Sequence, residues 1–95
     1  MQAIQVSQVG GPEVLTVADL PVPSPKANEA LVEIKAAGVN FIDVYIREGR
    51  YPTPLPFVSG QEAAGVVVDV GSEVTNLQRG DRVAYTSVLG SYAQY

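Results

Sequence analysis

The sequence contains no histidine and no cysteine. Thiolate and imidazole are the usual ligands of zinc and of most transition metals, so a classical zinc site cannot be assembled from these residues. The same gap removes Ser-His-Asp and Cys-His nucleophilic machinery and leaves acid–base work to Asp, Glu, Lys or Tyr. Nothing calls for an oxidising compartment. Cations are scarce too. Six Lys and Arg stand against ten Asp and Glu, giving a net charge of −4, and Lys26, Lys35, Arg47, Arg50, Arg79 and Arg82 form no run or stripe. Nucleic acid is therefore disfavoured as a partner. No apolar stretch is long enough to span a bilayer and no charged-then-apolar leader is visible, so a soluble, cytoplasmic protein with no membrane partner is expected.

What is present suits one small, turn-rich domain: 95 residues, 46% hydrophobic, with nine Gly and seven Pro. A chain of this size can bury only a modest core. A strand over Ala3 to Ser7, a turn at Gly10-Gly11-Pro12 and a second strand over Leu15 to Leu20 read as a hairpin. Pro21 to Asn28, with three prolines, forms an extended surface connection. "EALVEIKAAG" then alternates with the period of a half-buried strand. Ala30, Val32, Ile34 and Ala36 fall on one face and Leu31, Glu33, Lys35 and Ala37 on the other.

That strand ends at Gly38, where "AAGVNFID" switches abruptly in character. Asn40 is a preferred N-cap, Asp43 stands three residues on where a capping box places an acid, and Phe41 to Glu48 makes two helical turns before Gly49. "GRYPTPLPFVSG" is expected to follow an irregular surface path. A valine-rich strand over Gly65 to Val70 closes at Gly71-Ser72, and a turn at Gly80-Asp81 leads into a strand over Arg82 to Thr86. "LGSYAQY" begins another strand-like alternation, which leaves the sheet looking unfinished at Tyr95. Short strands, frequent Gly and Pro and one small helix point to a β-barrel or strand-dominated domain rather than a doubly wound sheet.

Two glycine-bracketed stretches invite comparison with phosphate loops. "GQEAAG" is followed by Val66-Val67 rather than Lys and Ser or Thr, and "GVVVDVG" lacks the internal glycines of a dinucleotide fingerprint. Both read better as turn or close-packing glycines.

"AAGVNFID" followed by "GRYPTPLPFVSGQEAAGVVVDVGSEVTNLQRGDRVAY" resembles the N-terminal segment of the medium-chain dehydrogenase/reductase superfamily. "NFIDVYIREGRYP" is similar to its zinc-free, zeta-crystallin-like quinone oxidoreductases. Zinc alcohol dehydrogenases carry Cys-x-x-Asp and Gly-His-Glu at the matching places. This chain has Asn40-Phe41-Ile42-Asp43 and Gly60-Gln61-Glu62 there, so both ligand positions differ while Asp43, Glu62, Gly65 and Gly71 stay in register. The carbonyl-polarising Lewis acid of those enzymes is expected to be absent.

The resemblance implies a mainly β fold: a GroES-like, partly open β-barrel with one short helix. Residues 1–95 would be the truncated N-terminal part of a catalytic domain, with its Rossmann domain missing. It implies a parent NADPH:quinone oxidoreductase that is zinc-independent and homodimeric, its NADPH held mostly by the missing domain; the 95 residues alone would be inactive. Asn40, Phe41, Ile42, Asp43, Val44 and Tyr45 would line the nicotinamide end of the cofactor site. Tyr45 and Tyr51 would lie at the quinone, with no metal ligand and no assigned catalytic acid or base. A quinone is already electrophilic, so a site that positions flat rings suffices. Two other functions share these features: a zinc-free enoyl or alkenal reductase of the same superfamily, and a stand-alone GroES-like binding module.

The residues by themselves leave other roles open. Asn40 serves as a helix cap, a cofactor contact or both. Asp43 fits a capping acid better than a catalytic base. Phe41, Ile42 and Val44 read as core or pocket wall, Tyr51 as a loop anchor or a binding residue, and Gln61 and Glu62 as packing remnants of a former metal site.

Overall fold

Alternating side chains at each end of the chain build two separate three-stranded antiparallel sheets, described for Met1–Tyr95 by a computed structural model. β1 (Gln2–Val6) pairs along its whole length with β2 (Leu15–Asp19), from Gln2 opposite Asp19 to Val6 opposite Leu15. The hairpin is thus as expected, with Pro12–Val14 forming a short 3-10 turn inside the connection. The other edge of β1 is taken by β4 (Phe57–Val58), in the order β2-β1-β4. In the second sheet β5 (Glu62–Val70) lies between β3 (Ala30–Gly38) and β6 (Arg82–Tyr85). The molecule is mostly β with one short α-helix, and the two sheets do not close into a barrel.

Four local expectations change. β4 lies inside the stretch read as irregular; Phe57 is buried there because the chain, after its last proline, returns to the free edge of β1. β5 starts at Glu62 rather than Gly65, since Glu62 to Ala64 still find partners in Gly38 to Ala36. The clean alternation of β3 is broken at Lys35, which has no partner between Ile34 and Ala36, a second shift leaves Val68 of β5 unpaired opposite Leu31 and Val32, and no residue of β3 is fully buried. The C-terminal residues form no strand of their own; only Ala93 makes an isolated bridge, to Ala3.

Those last residues instead tie the sheets together. Ile4 N–H donates to the Tyr92 carbonyl at 2.8 Å, Tyr92 N–H to the Ser59 carbonyl at 2.9 Å, and Ile34 N–H to the Gln94 carbonyl at 2.8 Å. Residues of β1, of the turn after β4 and of β3 are thereby joined to one short segment. The helix α1 (Phe41–Glu48) packs on the first sheet through Ile46, which joins Val6, Val14 and Phe57 in the main apolar cluster. With 12 of 95 residues buried, apolar packing is thin, and backbone hydrogen bonds across segments carry more of the order than in a larger domain. No helix is long and apolar enough to cross a membrane.

Gly65 shows how closely β3 and β5 approach: a Cβ there would stand 2.1 Å from the Glu33 carbonyl oxygen. Backbone cannot yield as a side-chain tip can. Gly65→Ala is therefore expected to destabilise the protein by about 3 kcal/mol, at the upper end for overpacking. Ala64→Ser, at the exposed neighbouring position, should change stability by less than about 0.5 kcal/mol. Urea denaturation of the two variants provides the comparison.

Candidate functional site

The entry into α1 is built from the sequence feature that first drew notice. Asn40 caps the helix in an extended conformation (φ −129°, ψ 153°), and Asp43 completes the capping box. Asn40 N–H donates to Asp43 Oδ2 at 3.0 Å, while Asp43 N–H donates to the Asn40 carbonyl at 3.0 Å. At the other end Gly49 N–H bonds the Ile46 carbonyl at 3.1 Å, and Arg47 is joined to Gly10 by Gly10 N–H to the Arg47 carbonyl at 3.0 Å and by Arg47 Nε to the Gly10 carbonyl at 3.2 Å.

The six residues from Asn40 to Tyr45 do not share one environment. Asp43 is buried, Asn40, Val44 and Tyr45 are half-buried, and Phe41 and Ile42 face outward. Phe41 is 82% exposed, as is Val39 before the cap, so Phe41 and Ile42 are not the core residues that one sequence reading made them. Tyr45 and Tyr51 come together: their ring centroids are 6.1 Å apart at an interplanar angle of 76°, an edge-to-face pair. The Arg50 guanidinium lies 5.3 Å from the Tyr45 ring centre, and Arg50 N–H donates to the Tyr45 carbonyl at 2.9 Å. The Tyr45 ring is thus flanked by an aromatic edge and a cation, with Tyr51 itself exposed.

Gln61 and Glu62 lie at the start of β5. The Gln61 carbonyl accepts Val88 N–H at 3.4 Å, and the Glu62 side chain lies over Gly38, occupying the space a Cβ would need. Glu62 also borders an open trough of about 530 Å³ floored by Ala36, Ala37, Ala63 and Ala84 and edged by Tyr85, whose phenol is pushed above its ordinary range by burial. Asp43 and Glu62 do not join any set of three side chains able to hold a metal ion.

Tyr92 escaped the sequence reading. Its hydroxyl donates to Asp43 Oδ2 at 2.6 Å, a length typical of bonds to a charged acceptor. The contact spans 49 residues, so no local spacing announces it. The only local hint is an aromatic residue one position removed from Gly90 in "LGSYAQY". Gly60 makes room for the ring: a Cβ there would approach Tyr92 Cδ1 and Ser91 Oγ to 2.4 Å. Asp43 Oδ2 thus has two donors, while Oδ1 and the nearby buried Ser91 Oγ have none. That occupancy makes Asp43 a structural carboxylate, in keeping with its reading as a cap. A hydrogen bond to a charged group contributes about 1.5–3 kcal/mol, and a buried carboxylate stripped of donors costs at least as much.

Comparison with known proteins places these features in context. The alcohol dehydrogenase GroES-like domain family matches residues 26–95. The chain is 51% identical over 92 residues to quinone oxidoreductase 1 of Escherichia coli, covering 95% of this chain and 28% of that protein. It is 46% identical over 99 residues to the quinone oxidoreductase of Lama guanicoe, covering 100% of this chain and 30% of that protein. The crystal structure of the Escherichia coli quinone oxidoreductase complexed with NADPH superposes with a TM-score of 0.95 at 48% identity, over 99% of this chain and 29% of that one. The chain thus spans less than a third of the length of these relatives.

Burial raises the Tyr92 phenol first, and the hydrogen bond to Asp43, then the negative charges of Asp43 and Glu62, raise it further, well above the ordinary tyrosine value. A folded-state value raised in this way contributes stability that is complete below the unfolded value of about 10 and is lost as pH climbs beyond it. Denaturation between neutral pH and strong alkali is therefore expected to show a fall in stability above about pH 10 that is shallower in Tyr92→Phe.

Proposed function

This chain belongs to the alcohol dehydrogenase GroES-like domain family, within the medium-chain dehydrogenase/reductases, and from that premise we propose that it is the N-terminal part of an NADPH-dependent quinone oxidoreductase that works without zinc. The observation that carries the proposal is the Tyr45–Tyr51 pair, two aromatic rings held edge to face at 6.1 Å across the C-terminal end of α1. Support also comes from relatives named as quinone oxidoreductases and from the NADPH complex of the Escherichia coli protein.

The residues present fit the nicotinamide end of such a cofactor. Phe41 and Ile42 offer exposed apolar surface, Asn40 a half-buried amide able to donate and accept, and Tyr45 a ring fixed by its neighbours. Asn40, Phe41, Ile42, Val44 and Tyr45 would border the cofactor, with Asp43 holding the turn beneath them. Tyr51, exposed at the rim, would border the quinone together with Tyr45. When bound, the nicotinamide supplies the hydride. The chain's own contribution is to align two flat rings and keep water from between them, a task for positioned aromatic faces rather than for a Lewis acid. The pyrophosphate and adenosine would be held by the part of the protein beyond these residues, so the 95 residues alone would turn over negligibly.

Three experiments on the full-length protein test the proposal. Tyr51→Ala should raise the KM for quinone about tenfold, equal to about 1.4 kcal/mol of lost ring contact, with kcat changed less than about threefold. Chelator should leave NADPH-dependent quinone reduction intact; loss of that activity, restored by zinc, would sink the zinc-free mechanism. Initial rates on α,β-unsaturated carbonyls that exceed those on quinones would turn the assignment to an enoyl reductase.

A further inference from the structure

Tyr92 has no part in the function proposed above, yet three parts of the domain meet on it. Its carbonyl accepts Ile4 N–H from β1 at 2.8 Å, and its N–H donates to the Ser59 carbonyl at 2.9 Å. Its ring sits against Gly60, where even one added carbon would reach 2.4 Å from Cδ1. The ring and backbone of Tyr92 are therefore placed by contacts that do not involve the phenol oxygen. The hydroxyl is a preset donor, and its acceptor is Asp43 Oδ2 at 2.6 Å.

α1 is anchored unevenly. Its second turn is held by Ile46 in the apolar cluster, and its C-terminal end by the paired Arg47–Gly10 bonds. The first turn has no such packing, because Phe41 and Ile42 point to the surface. Asp43 is the one fully buried residue of the first turn, 7% exposed, and its side chain has two donors: Asn40 N–H, within the same turn, and Tyr92. Of the hydrogen bonds made by Asn40 to Val44, the one to Tyr92 reaches beyond the helix and its cap.

We propose that Tyr92 is a positioning residue for the cofactor face: its hydroxyl holds Asp43, and through Asp43 the first turn of α1, so that Asn40 and Tyr45 meet the nicotinamide in one fixed orientation. This rests on the function proposed above. Tyr92 touches no reacting atom in it; it acts through Asp43, removing orientations of the turn that bind the cofactor poorly.

The test uses Tyr92→Phe in the full-length protein, which keeps the ring against Gly60 and removes only the donor. Amide hydrogen exchange should quicken about tenfold across Asn40–Tyr45, the effect of about 1.4 kcal/mol of lost local stability, and stay unchanged at Arg47–Gly49. The Kd and KM for NADPH should rise about tenfold while kcat stays within about twofold, whereas a loss of folded protein alone would lower apparent kcat and leave KM unmoved. Asp43→Asn should weaken NADPH binding similarly, and the double variant should be no weaker than Asp43→Asn alone, because both act through one bond. Unchanged exchange across Asn40–Tyr45 in Tyr92→Phe overturns the proposal, and so does an NADPH affinity equal to that of the wild type. A wild-type protein that does not bind NADPH overturns the assigned function instead, and the exchange measurement still decides whether Tyr92 holds the turn.

Discussion

A carboxylate that is nine-tenths buried must be met by donors, and the rest of this domain is arranged around meeting Asp43. One donor is local, the Asn40 N–H of the cap. The other arrives from the far end of the chain on Tyr92, at 2.6 Å. To bring it there, the chain must run from β6 back between the two sheets, and the segment from Gly90 to Gln94 does so by bonding to residues of both. Gly90 N–H reaches the Gly60 carbonyl, Ile4 N–H the Tyr92 carbonyl, and Ile34 N–H the Gln94 carbonyl. The bond to Asp43 and the joining of the sheets are thus two outcomes of one path.

That arrangement compensates for a thin interior. The principal apolar cluster holds only Val6, Val14, Ile46 and Phe57, all from the first sheet, its 3-10 turn and the helix. β3 contributes no fully buried residue, and β5 contributes Ala63 and Val67 with Gly65 pressed against the Glu33 carbonyl. The second sheet is therefore joined to the first less by apolar packing than by hydrogen bonds through the C-terminal segment. Buried polar residues follow the same line: Ser59, Ser91 and Asp43 all lie along it. In a low-dielectric interior an unmet polar group is costly, so the two bonds to Asp43 Oδ2 weigh the more because Asp43 Oδ1 and Ser91 Oγ have no partner.

Features set by neighbours in the chain could be read from the sequence. The hairpin of β1 and β2 followed from two apolar runs around a Gly-Gly-Pro turn, and α1 from Asn40, Asp43 and Gly49, whose capping geometry is as the spacing required. The register shifts between β3 and β5, one extra residue at Val68 of β5 and one at Lys35 of β3, could not be read, because they belong to the pairing of two strands and leave no mark on either pattern alone. β4 was hidden by its brevity: two residues after a proline-rich stretch carry too little periodicity to count as a strand, and only the open edge of β1 makes them one. The meeting of Tyr45 and Tyr51 spans the helix end and became visible only with the chain's turn at Gly49. Tyr92 is the extreme case, a contact across just over half the sequence whose chemistry depends on a glycine at position 60 for room.

The absence of histidine and cysteine gives this geometry its consequence for function. An enzyme that polarises its substrate with a metal gains part of its transition-state stabilisation from the ion's charge, and some looseness in the surrounding walls is tolerable. In the reading proposed above, a site bordered by Asn40, Tyr45 and Tyr51 would have no such ion and would draw its advantage from how narrowly it fixes two rings relative to each other. Small displacements of α1 would then matter, since the helix and its cap carry both the Asn40 amide and the Tyr45 ring. The outward-facing Phe41 and Ile42 leave the first turn free of packing of its own. Beneath it stand a buried acid and a tyrosine whose hydroxyl bonds that acid, which is where the proposed positioning role would act.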